Sequence, residues 1–263
     1  MRAYPSTDSG WPPRLALLAG GLATRLRPIT ETRPKSLVPV AGQPFLAHQL
    51  QRLHAEGLRE VVICVGHMGG QIEDFAGDGS RFGLAIEYSR DGERPLGTGG
   101  ALRRAFPLLG RRFLVMYGDS WLMEPVMPVW RAFCRSGKPG QMTVFRNENH
   151  WGASNVEFRA GAIARYEKNR PSPAMQHIDY GLEALEAEAI ADWRQAAFDL
   201  SEVWADLAGR GLLAGFEVAS RFYEIGSLAG LRDTEQAIAS TPCLVSHERF
   251  GPPPKAAPME VGQ

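Results

Sequence analysis

The chain has 263 residues, of which 44% are hydrophobic, and its 29 basic residues balance its 29 acidic residues. This length allows one substantial core, and the neutral charge gives no support to nucleic acid or an anionic membrane surface as a partner. Three widely spaced cysteines, without a C-x-x-C pair, argue against a disulfide framework or a zinc site and favour a reducing, cytoplasmic compartment.

The two ends of the chain differ in composition from the middle. Residues 1–13 contain several polar residues and prolines but no apolar signal segment, and we expect a flexible leader there. Residues 14–240 are predicted to form one domain, and the proline-rich residues 241–263 a disordered tail. No apolar run reaches the roughly 18 residues that a membrane-spanning helix needs, so we expect no membrane association.

Strand and helix patterns alternate through the first half of the domain. Strands are predicted at Leu15–Ala19, Glu60–Val65, Leu84–Tyr88 and Arg112–Tyr117, and helices at about 44–56, 69–75, 99–106 and 124–135. Such alternation is typical of βαβ units, and it predicts an α/β fold with a mostly parallel central sheet flanked by helices.

The second half has a different pattern. Strands at Gln141–Phe145, Ser154–Phe158 and Ala162–Tyr166 follow each other with short gaps, which indicates some antiparallel pairing. Helices are then predicted at about 181–191, 198–208 and 227–239, with strands at Leu212–Val218 and Phe222–Ile225 between them. The chain shows no internal repeat.

A glycine turn after the first predicted strand carries the clearest chemical signal. Leu18 and Ala19 lead into Gly20 and Gly21, where backbone N–H groups can approach phosphate oxygens because no Cβ intervenes. Arg25 and Lys35 follow at short distance and add a planar fork of donors and a compact positive charge. Taken alone, the glycines could also be a strand-ending turn and the cations solvated surface residues.

The complete spacing from Gly20 to Lys35 is more specific. It resembles the G-G-x-G-T-R-x-x-P-x-T-x-x-x-P-K signature of the sugar-1-phosphate nucleotidyltransferases, and departs from it only at Ala23, where a third glycine is usual. The resemblance implies a Rossmann-like nucleotidyltransferase fold with a small sugar-binding lobe. It also implies a reaction in which an NTP and a sugar 1-phosphate give an NDP-sugar and pyrophosphate. Arg25 would then bind the leaving pyrophosphate, and Lys35 the α-phosphate and the attacking sugar phosphate.

Two carboxylates are candidates for a metal site. Asp119 ends an apolar strand, and ligands of open α/β sheets bind at the carboxyl ends of strands. An aspartate there suits Mg²⁺, although it could also form an Asx turn or cap the next segment. The resemblance adds Glu224, which stands where the family has the aspartate of a late D-x-G. Glutamate reaches one methylene further, and it could instead be an ordinary edge-strand residue.

Leu96 to Ala101 form a second stretch of small residues, which opens a predicted helix. On physical grounds it is either an anion site at a helix N-terminus or a tight turn. It resembles the base-recognition loop of the family, which implies nucleotide contacts for Gly97, Thr98 and Gly99. The spelling L-G-T-G-G is closer to that of mannose- and manno-heptose-1-phosphate guanylyltransferases than to that of thymidylyltransferases.

Four residues match the sugar side of the family more loosely: Gly152, Glu167, Lys168 and Asp179. Asp179 replaces an asparagine of the usual I-N-A-G, and a carboxylate accepts hydrogen bonds where an amide both accepts and donates. A different acceptor sugar would explain that change. Each of the four could also be a surface polar residue or a turn former.

Two other classes of protein share part of this sequence pattern. A dehydrogenase would carry G-x-G-x-x-G followed by an acidic residue about twenty positions on, whereas Arg25 and Lys35 follow the glycines here. A non-catalytic protein of the same fold that binds an NDP-sugar, as a sensor or regulatory subunit, is the stronger alternative. Such a protein would bind the sugar nucleotide without releasing pyrophosphate. Assembly as a homo-oligomer stays open.

Overall fold

A computed structural model describes residues 12–21 and 24–240. The strands are β1 (Arg14–Leu18), β2 (Pro39–Val40), β3 (Gln43–Pro44), β4 (Glu60–Val65), β5 (Ala85–Arg90), β6 (Arg112–Tyr117), β7 (Ser120–Trp121), β8 (Gly140–Arg146), β9 (Val156–Arg159), β10 (Ala162–Tyr166), β11 (His177–Glu186), β12 (Leu213–Val218) and β13 (Tyr223–Glu224). The helices are α1 (Phe45–Ala55), α2 (Gly69–Ala76), α3 (Gly97–Arg104), α4 (Phe106–Leu109), α5 (Val126–Ser136), α6 (Glu188–Ala191), α7 (Leu200–Gly209) and α8 (Leu228–Ala239).

Nine strands form one central sheet in the order β5-β4-β1-β6-β11-β8-β12-β10-β9. The first four are parallel, as the βαβ pattern predicts, and β8 is parallel to β12. β11 runs antiparallel between β6 and β8, and β9 and β10 are antiparallel. β9 also pairs with β11 through Val156 and His177, so β11, β8, β12, β10 and β9 form a closed ring of pairings. The α/β class and the central sheet flanked by helices are thus confirmed, but the sheet is mixed rather than mostly parallel, because β11, β9 and β10 pair antiparallel with their neighbours.

The two faces of the sheet bury separate apolar layers. Leu15 and Leu17 of β1 face the layer that contains α1, α2 and α5, while Ala16 and Leu18 face the layer that contains α3 and α7. This is the period-2 alternation of a strand with both faces covered. A third, smaller cluster around Trp121 and Ile225 packs α8 against β7 and β13.

One predicted element is wrong. Instead of a helix over 181–191, residues up to Glu186 belong to β11, and only Glu188–Ala191 are helical. Leucine, alanine and glutamate favour a helix locally, but Leu182 and Ala184 are fully buried in a strand that pairs on both sides. Tertiary pairing and burial outweigh the small differences in helix propensity.

The predicted leader lies mostly, and the predicted tail entirely, outside the described residues, as does Ala23. In the described part of the chain, none of the helices is long and apolar enough to span a membrane.

Candidate active site

A cavity of about 420 Å³ lies at the carboxyl ends of β1 and β6. Its walls include Leu18, Ala19, Gly20 and Gly21 at the end of β1, and Asp119 after β6. Arg25, Lys35, Gly97 and Thr98 also line it. The cavity therefore brings together all three predicted catalytic residues and every predicted nucleotide-binding residue except Gly99.

Several glycines allow backbone segments to lie close together at this cavity. A Cβ on Gly20 would lie 3.2 Å from the backbone nitrogen of Gly66, and one on Gly66 would lie 2.9 Å from the Gly20 carbonyl oxygen. A Cβ on Gly118 would likewise lie 2.9 Å from the Leu18 carbonyl oxygen. Real Cβ atoms essentially never come within 3.0 Å of another heavy atom and seldom within 3.4 Å, so glycines let the ends of the strands approach each other. Gly21 has open space around it and is exposed, which leaves its backbone accessible to a ligand.

The two cations converge near the start of α8. A Cβ on Gly226 would lie 3.4 Å from Nη2 of Arg25 and 3.6 Å from Nζ of Lys35. It would also lie 3.7 Å from Oε2 of Glu224. Nζ of Lys35 in turn donates to Oδ2 of Asp119 at 2.5 Å. Two cations and the Glu224 carboxylate thus lie around one glycine, and Asp119 joins them through its bond to Lys35, although the four residues are separate in the sequence.

A short strand pair explains why the carboxylates meet. Glu224 of β13 lies opposite Ser120 of β7, and the Ile225 N–H donates to the Asp119 carbonyl oxygen at 3.0 Å. The pKa of Glu224 is raised because neighbouring atoms desolvate its carboxyl group and because Asp119 is close, while Lys35 and Arg25 oppose the shift. As a whole residue, Glu224 is still exposed to solvent.

These two carboxylates fit a divalent metal ion. Mg²⁺ prefers hard oxygen ligands and usually takes one or two carboxylates together with phosphate oxygens and water. Within residues 12–21 and 24–240, no group of three or more His, Cys, Asp or Glu side chains could hold a metal without further ligands. A two-carboxylate site completed by a nucleotide is consistent with that finding.

The small residues at the start of α3 have a packing role. The Phe198 carbonyl oxygen accepts hydrogen bonds from the N–H groups of Gly99, at 3.0 Å, and Gly100, at 3.4 Å. A Cβ on Gly99 would collide with the Phe198 ring. Oγ1 of Thr98 accepts the Leu200 N–H at 2.8 Å. The predicted contact between Gly99 and a nucleotide therefore has no support from the geometry, whereas Gly97 and Thr98 face the cavity.

Asp91 and Cys64 are among the cavity side chains that sequence reasoning missed. Oδ2 of Asp91 accepts the Leu96 N–H at 3.3 Å, and burial raises the pKa of the Asp91 carboxyl group. Asp91 directly follows β5, so the rule that identified Asp119 could have identified it too. Burial raises the pKa of the Cys64 thiol to about 12, which keeps the thiol protonated and unreactive.

The four predicted sugar-side residues lie outside the walls of this cavity. Asn155 links two of them, since its carbonyl oxygen accepts the Glu167 N–H and its Oδ1 accepts the Asp179 N–H. Nζ of Lys168 pairs with Oδ2 of Asp199 at 2.9 Å, and the carbonyl of Gly152 accepts from Asn147.

These residues are connected to the cavity through Gly181, two positions after Asp179. Gly181 has a positive φ of 86°. A Cβ there would lie 3.2 Å from Oγ of Ser120, the residue after Asp119, and 3.5 Å from the Tyr117 ring, which lines the cavity. β11 therefore runs from Asp179, one of the four sugar-side residues, to the edge of the cavity.

The fold is α/β, and the cavity at the carboxyl ends of its strands holds the glycines, cations and carboxylates that are typical of a nucleotide-binding protein. Comparison with known proteins makes this specific. Residues 16–154 match the family described as nucleotidyl transferase, and the chain belongs to that family. Enzymes of this family generally use divalent metal ions.

Individual relatives differ in base and sugar. An N-acetylmuramate alpha-1-phosphate uridylyltransferase of Neisseria meningitidis is 46% identical over 104 residues, which cover 39% of this chain and 45% of that protein. A mannose-1-phosphate guanylyltransferase of Mycobacterium tuberculosis is 30% identical over 243 residues, covering 88% of this chain and 67% of that protein. A crystal structure of HddC from Yersinia pseudotuberculosis has the same fold, with a TM-score of 0.73 at 19% identity, covering 85% of this chain and 98% of that one.

Proposed function

We propose that this chain transfers a nucleotidyl group from an NTP to a sugar 1-phosphate, forming an NDP-sugar and pyrophosphate with Mg²⁺ as the metal ion. One observation carries the proposal: Arg25, Lys35 and Glu224 converge on Gly226, and Asp119 is bonded to Lys35, at a cavity that Gly20 and Gly21 also line. Phosphates need exposed N–H groups and cations, and a metal ion needs the carboxylates.

The chemistry follows from where the charges lie. An oxygen of the sugar phosphate attacks the α-phosphorus in line with the departing pyrophosphate, and it is already ionised near neutral pH, so no catalytic base is required. Catalysis then consists of positioning the reactants and neutralising charge on the phosphates. We assign contacts with the phosphate backbone to Gly20 and Gly21, and contacts with the leaving pyrophosphate to Arg25.

Lys35 has two roles in this proposal. Its ammonium group would neutralise the α-phosphate and the incoming sugar phosphate. Because Nζ donates to Oδ2 of Asp119 at 2.5 Å, Lys35 must exchange this partner for phosphate oxygens when a metal ion takes the carboxylate. A bound Mg²⁺, held by Asp119 and Glu224, would supply electrostatic stabilisation of the phosphate oxygens.

For the substrates we favour GTP and a mannose- or manno-heptose-type sugar phosphate. The L-G-T-G-G spelling of residues 96–100 supports this choice, as does the extent of the match to the guanylyltransferase, 88% of this chain. The more identical uridylyltransferase matches only 39% of the chain. The chain spans 45% of that relative's length, so the substrates and partners of the whole protein are part of the proposal. A cytoplasmic location is proposed too, since three widely spaced cysteines without a C-x-x-C pair favour a reducing compartment.

The experiment is a pyrophosphate-release assay with Mg²⁺, in which each NTP is paired with a panel of hexose and heptose 1-phosphates. One productive pair is expected, with GTP as the nucleotide, and Asp119→Ala should abolish its turnover. Asp206→Asn is the control, because Asp206 is an exposed carboxylate on α7 that pairs with Arg210, the residue just after that helix. If the nucleotide sugar binds but no pair releases pyrophosphate, the chain is a sensor and the proposal is wrong.

A further inference from the structure

Gln49 is a glutamine on α1 that is only 2% exposed. Its Nε2 donates two hydrogen bonds, to the carbonyl oxygen of Tyr117 at 3.2 Å and to that of Ser120 at 2.9 Å. Carbonyl oxygens only accept, so the amide nitrogen must face them, and both of its N–H groups are used. The two carbonyls stand on either side of Gly118 and Asp119. The side chain of Gln49 therefore closes the turn on which the Asp119 carboxylate lies.

The same side chain leaves one buried atom without a partner. No donor among the described residues reaches Oε1 of Gln49, and an unpaired buried acceptor costs about 1–3 kcal/mol. Leu46, Leu50 and Leu53 of the same helix belong to the apolar core. An apolar side chain at this position would avoid the cost of the unpaired oxygen. Only the amide nitrogen uses the polarity of Gln49, and it does so at the turn after β6.

This glutamine is the first of three polar residues along one face of α1 and its C-terminal end. Arg52 and Glu56 follow it at positions i+3 and i+7, which lie on the same face of a helix. Nη2 of Arg52 donates to the Met123 carbonyl oxygen at 2.9 Å, and Oε2 of Glu56 accepts the Val126 N–H at 2.6 Å. The three side chains thus bond to the backbone in sequence order, from the turn after β6 to the start of α5.

The same helix also holds the segment that follows Lys35. The Val38 N–H donates to the Lys35 carbonyl oxygen at 3.1 Å, and the Val38 carbonyl oxygen accepts the Phe45 N–H at 3.0 Å. Nε2 of His48 donates to the Val40 carbonyl oxygen at 2.8 Å. One helix therefore connects the backbones of the two residues whose side chains form the ion pair at the cavity.

Two other elements bond to the turn after β6. The Gly118 N–H donates to the Leu18 carbonyl oxygen of β1 at 2.9 Å, and the Ile225 N–H, just after β13, donates to the Asp119 carbonyl oxygen at 3.0 Å. With the bonds from Gln49, three separate elements hold different peptide groups of one turn. An aspartate side chain is short, so the position of its carboxylate depends on the backbone that bears it.

From these contacts we propose that Gln49 is a positioning residue for Asp119, whose carboxylate it holds in place to bind a divalent ion together with Glu224. This inference rests on the proposed function of the site. Gln49 acts through the backbone of the turn and lies outside the walls of the cavity. Replacing a residue that orients a metal ligand typically lowers metal affinity or activity by about 10- to 100-fold. Without the two donors, the turn is free to move away from α1, and the carboxylate moves with it.

The test is Gln49→Met, which removes both donors but keeps an unbranched side chain of similar helix propensity. The probe is Mn²⁺ alone, and its dissociation constant is measured on the full chain by electron paramagnetic resonance of the free ion. We expect the variant to bind Mn²⁺ about 10- to 100-fold more weakly than the wild type. An affinity within about threefold of the wild type would overturn the inference.

Gln141→Met is the matched control. Gln141 is 1% exposed, and its Nε2 donates to the Val129 carbonyl oxygen at 2.8 Å, but it too lies outside the cavity walls. The same substitution there removes a buried amide from a backbone carbonyl without changing the turn after β6. It should lower the melting temperature but leave Mn²⁺ affinity as in the wild type. If both variants weaken Mn²⁺ binding equally, the effect is a general loss of stability and Gln49 has no positioning role.

Gln49→Asn covers the case in which Gln49→Met does not fold. It retains the amide, but its side chain is one methylene shorter, so the amide nitrogen cannot reach both carbonyls as in the wild type. We expect weaker Mn²⁺ binding here too, in the same direction as for Gln49→Met. A folded Gln49→Asn with unchanged Mn²⁺ affinity would contradict the positioning role.

Asp119→Ala separates this inference from the proposed function. Mn²⁺ binding is measured without turnover, so the result can be read even if no sugar phosphate is converted. If Asp119→Ala loses Mn²⁺ affinity and Gln49→Met does not, only the positioning role is wrong. If Asp119→Ala binds Mn²⁺ as the wild type does, Asp119 is not a metal ligand, and the proposed metal site fails together with this inference.

Discussion

The ion pair between Lys35 and Asp119 leads to a prediction in which metal affinity and turnover change in opposite directions. Nζ of Lys35 lies 2.5 Å from Oδ2 of Asp119, and the two side chains are 15% and 30% exposed. At an effective dielectric constant of about 20, the Coulomb attraction at this distance is about 7 kcal/mol. Desolvation cancels most of it, and a hydrogen bond between charged groups retains about 1.5–3 kcal/mol.

Lys35→Ala removes this competitor for the carboxylate. A divalent ion should then bind Asp119 and Glu224 more tightly, by about 10- to 100-fold if the whole net attraction is released. Turnover should fall by about 10²–10³ in the same variant, because a cation that stabilises charge on the phosphates is lost. A role of Lys35 as a surface cation would predict neither change.

Metal affinity is measured with Mn²⁺ as the probe, by electron paramagnetic resonance of the free ion, and turnover by pyrophosphate release. Lys35→Arg retains the positive charge and should keep Mn²⁺ affinity within about threefold of wild type. Lys138→Ala, which removes an exposed lysine bonded to the Gly211 carbonyl, is the control for loss of charge elsewhere. If Lys35→Ala binds Mn²⁺ no more tightly than wild type, the idea that Lys35 and the metal ion compete for Asp119 is refuted.

Three further predictions test other parts of the structure. Gly118→Ala should lower the free energy of unfolding, measured in urea, by about 1–3 kcal/mol, since the new Cβ would lie 2.9 Å from the Leu18 carbonyl oxygen. Its control is Gly70→Ala, which lies in open space on α2 and should be neutral or stabilising. Because burial raises the pKa of Glu183, the folded protein loses stability as the pH rises above the ordinary pKa of a glutamic acid. The stability gained by Glu183→Gln should therefore be larger at about pH 8 than at about pH 5. A constant difference would contradict the buried acid. Asp199→Ser keeps an N-cap for α7 but frees Lys168, so it should change KM for the sugar phosphate with little change in melting temperature, and an unchanged KM would exclude a role for this pair.

The sequence was sufficient to predict the parts of the site that lie on single strands and turns. β1 and β6 are apolar runs that end in glycine, and the carboxyl-end rule then places Gly20 and Asp119 at the same edge of the sheet. The signature spacing added Arg25 and Lys35, and both line the cavity. These features are local, so one sequence contains enough information to locate them.

Features that depend on distant partners were not predictable in the same way. Glu186 and the five residues before it were expected in a helix because their local propensity is helical, and only the neighbours β6 and β8 make them a strand. Likewise, Gly99 was expected to contact a nucleotide, but Phe198, about a hundred positions away, occupies the space beside it. The burial of Glu183 was not predicted, since a glutamate among helix-forming residues gives no sign of burial in the sequence.

The placement of Glu224 shows how a longer side chain can serve where the family signature has an aspartate. Its strand, β13, has only two residues, and their position is set by pairing with β7 and by the Ile225 N–H bond to the Asp119 carbonyl. The main chains of the two metal-site candidates are therefore coupled directly, independent of side-chain length. Ile225 is fully buried in the cluster with Trp121, which fixes β13 from its other face. The extra methylene of glutamate then changes only how far the carboxylate extends from a fixed backbone. Oε2 of Glu224 lies near Gly226, on the side where Arg25 and Lys35 also lie. We therefore expect that Glu224→Asp would shift the position of the proposed metal ion relative to the phosphates rather than abolish its binding.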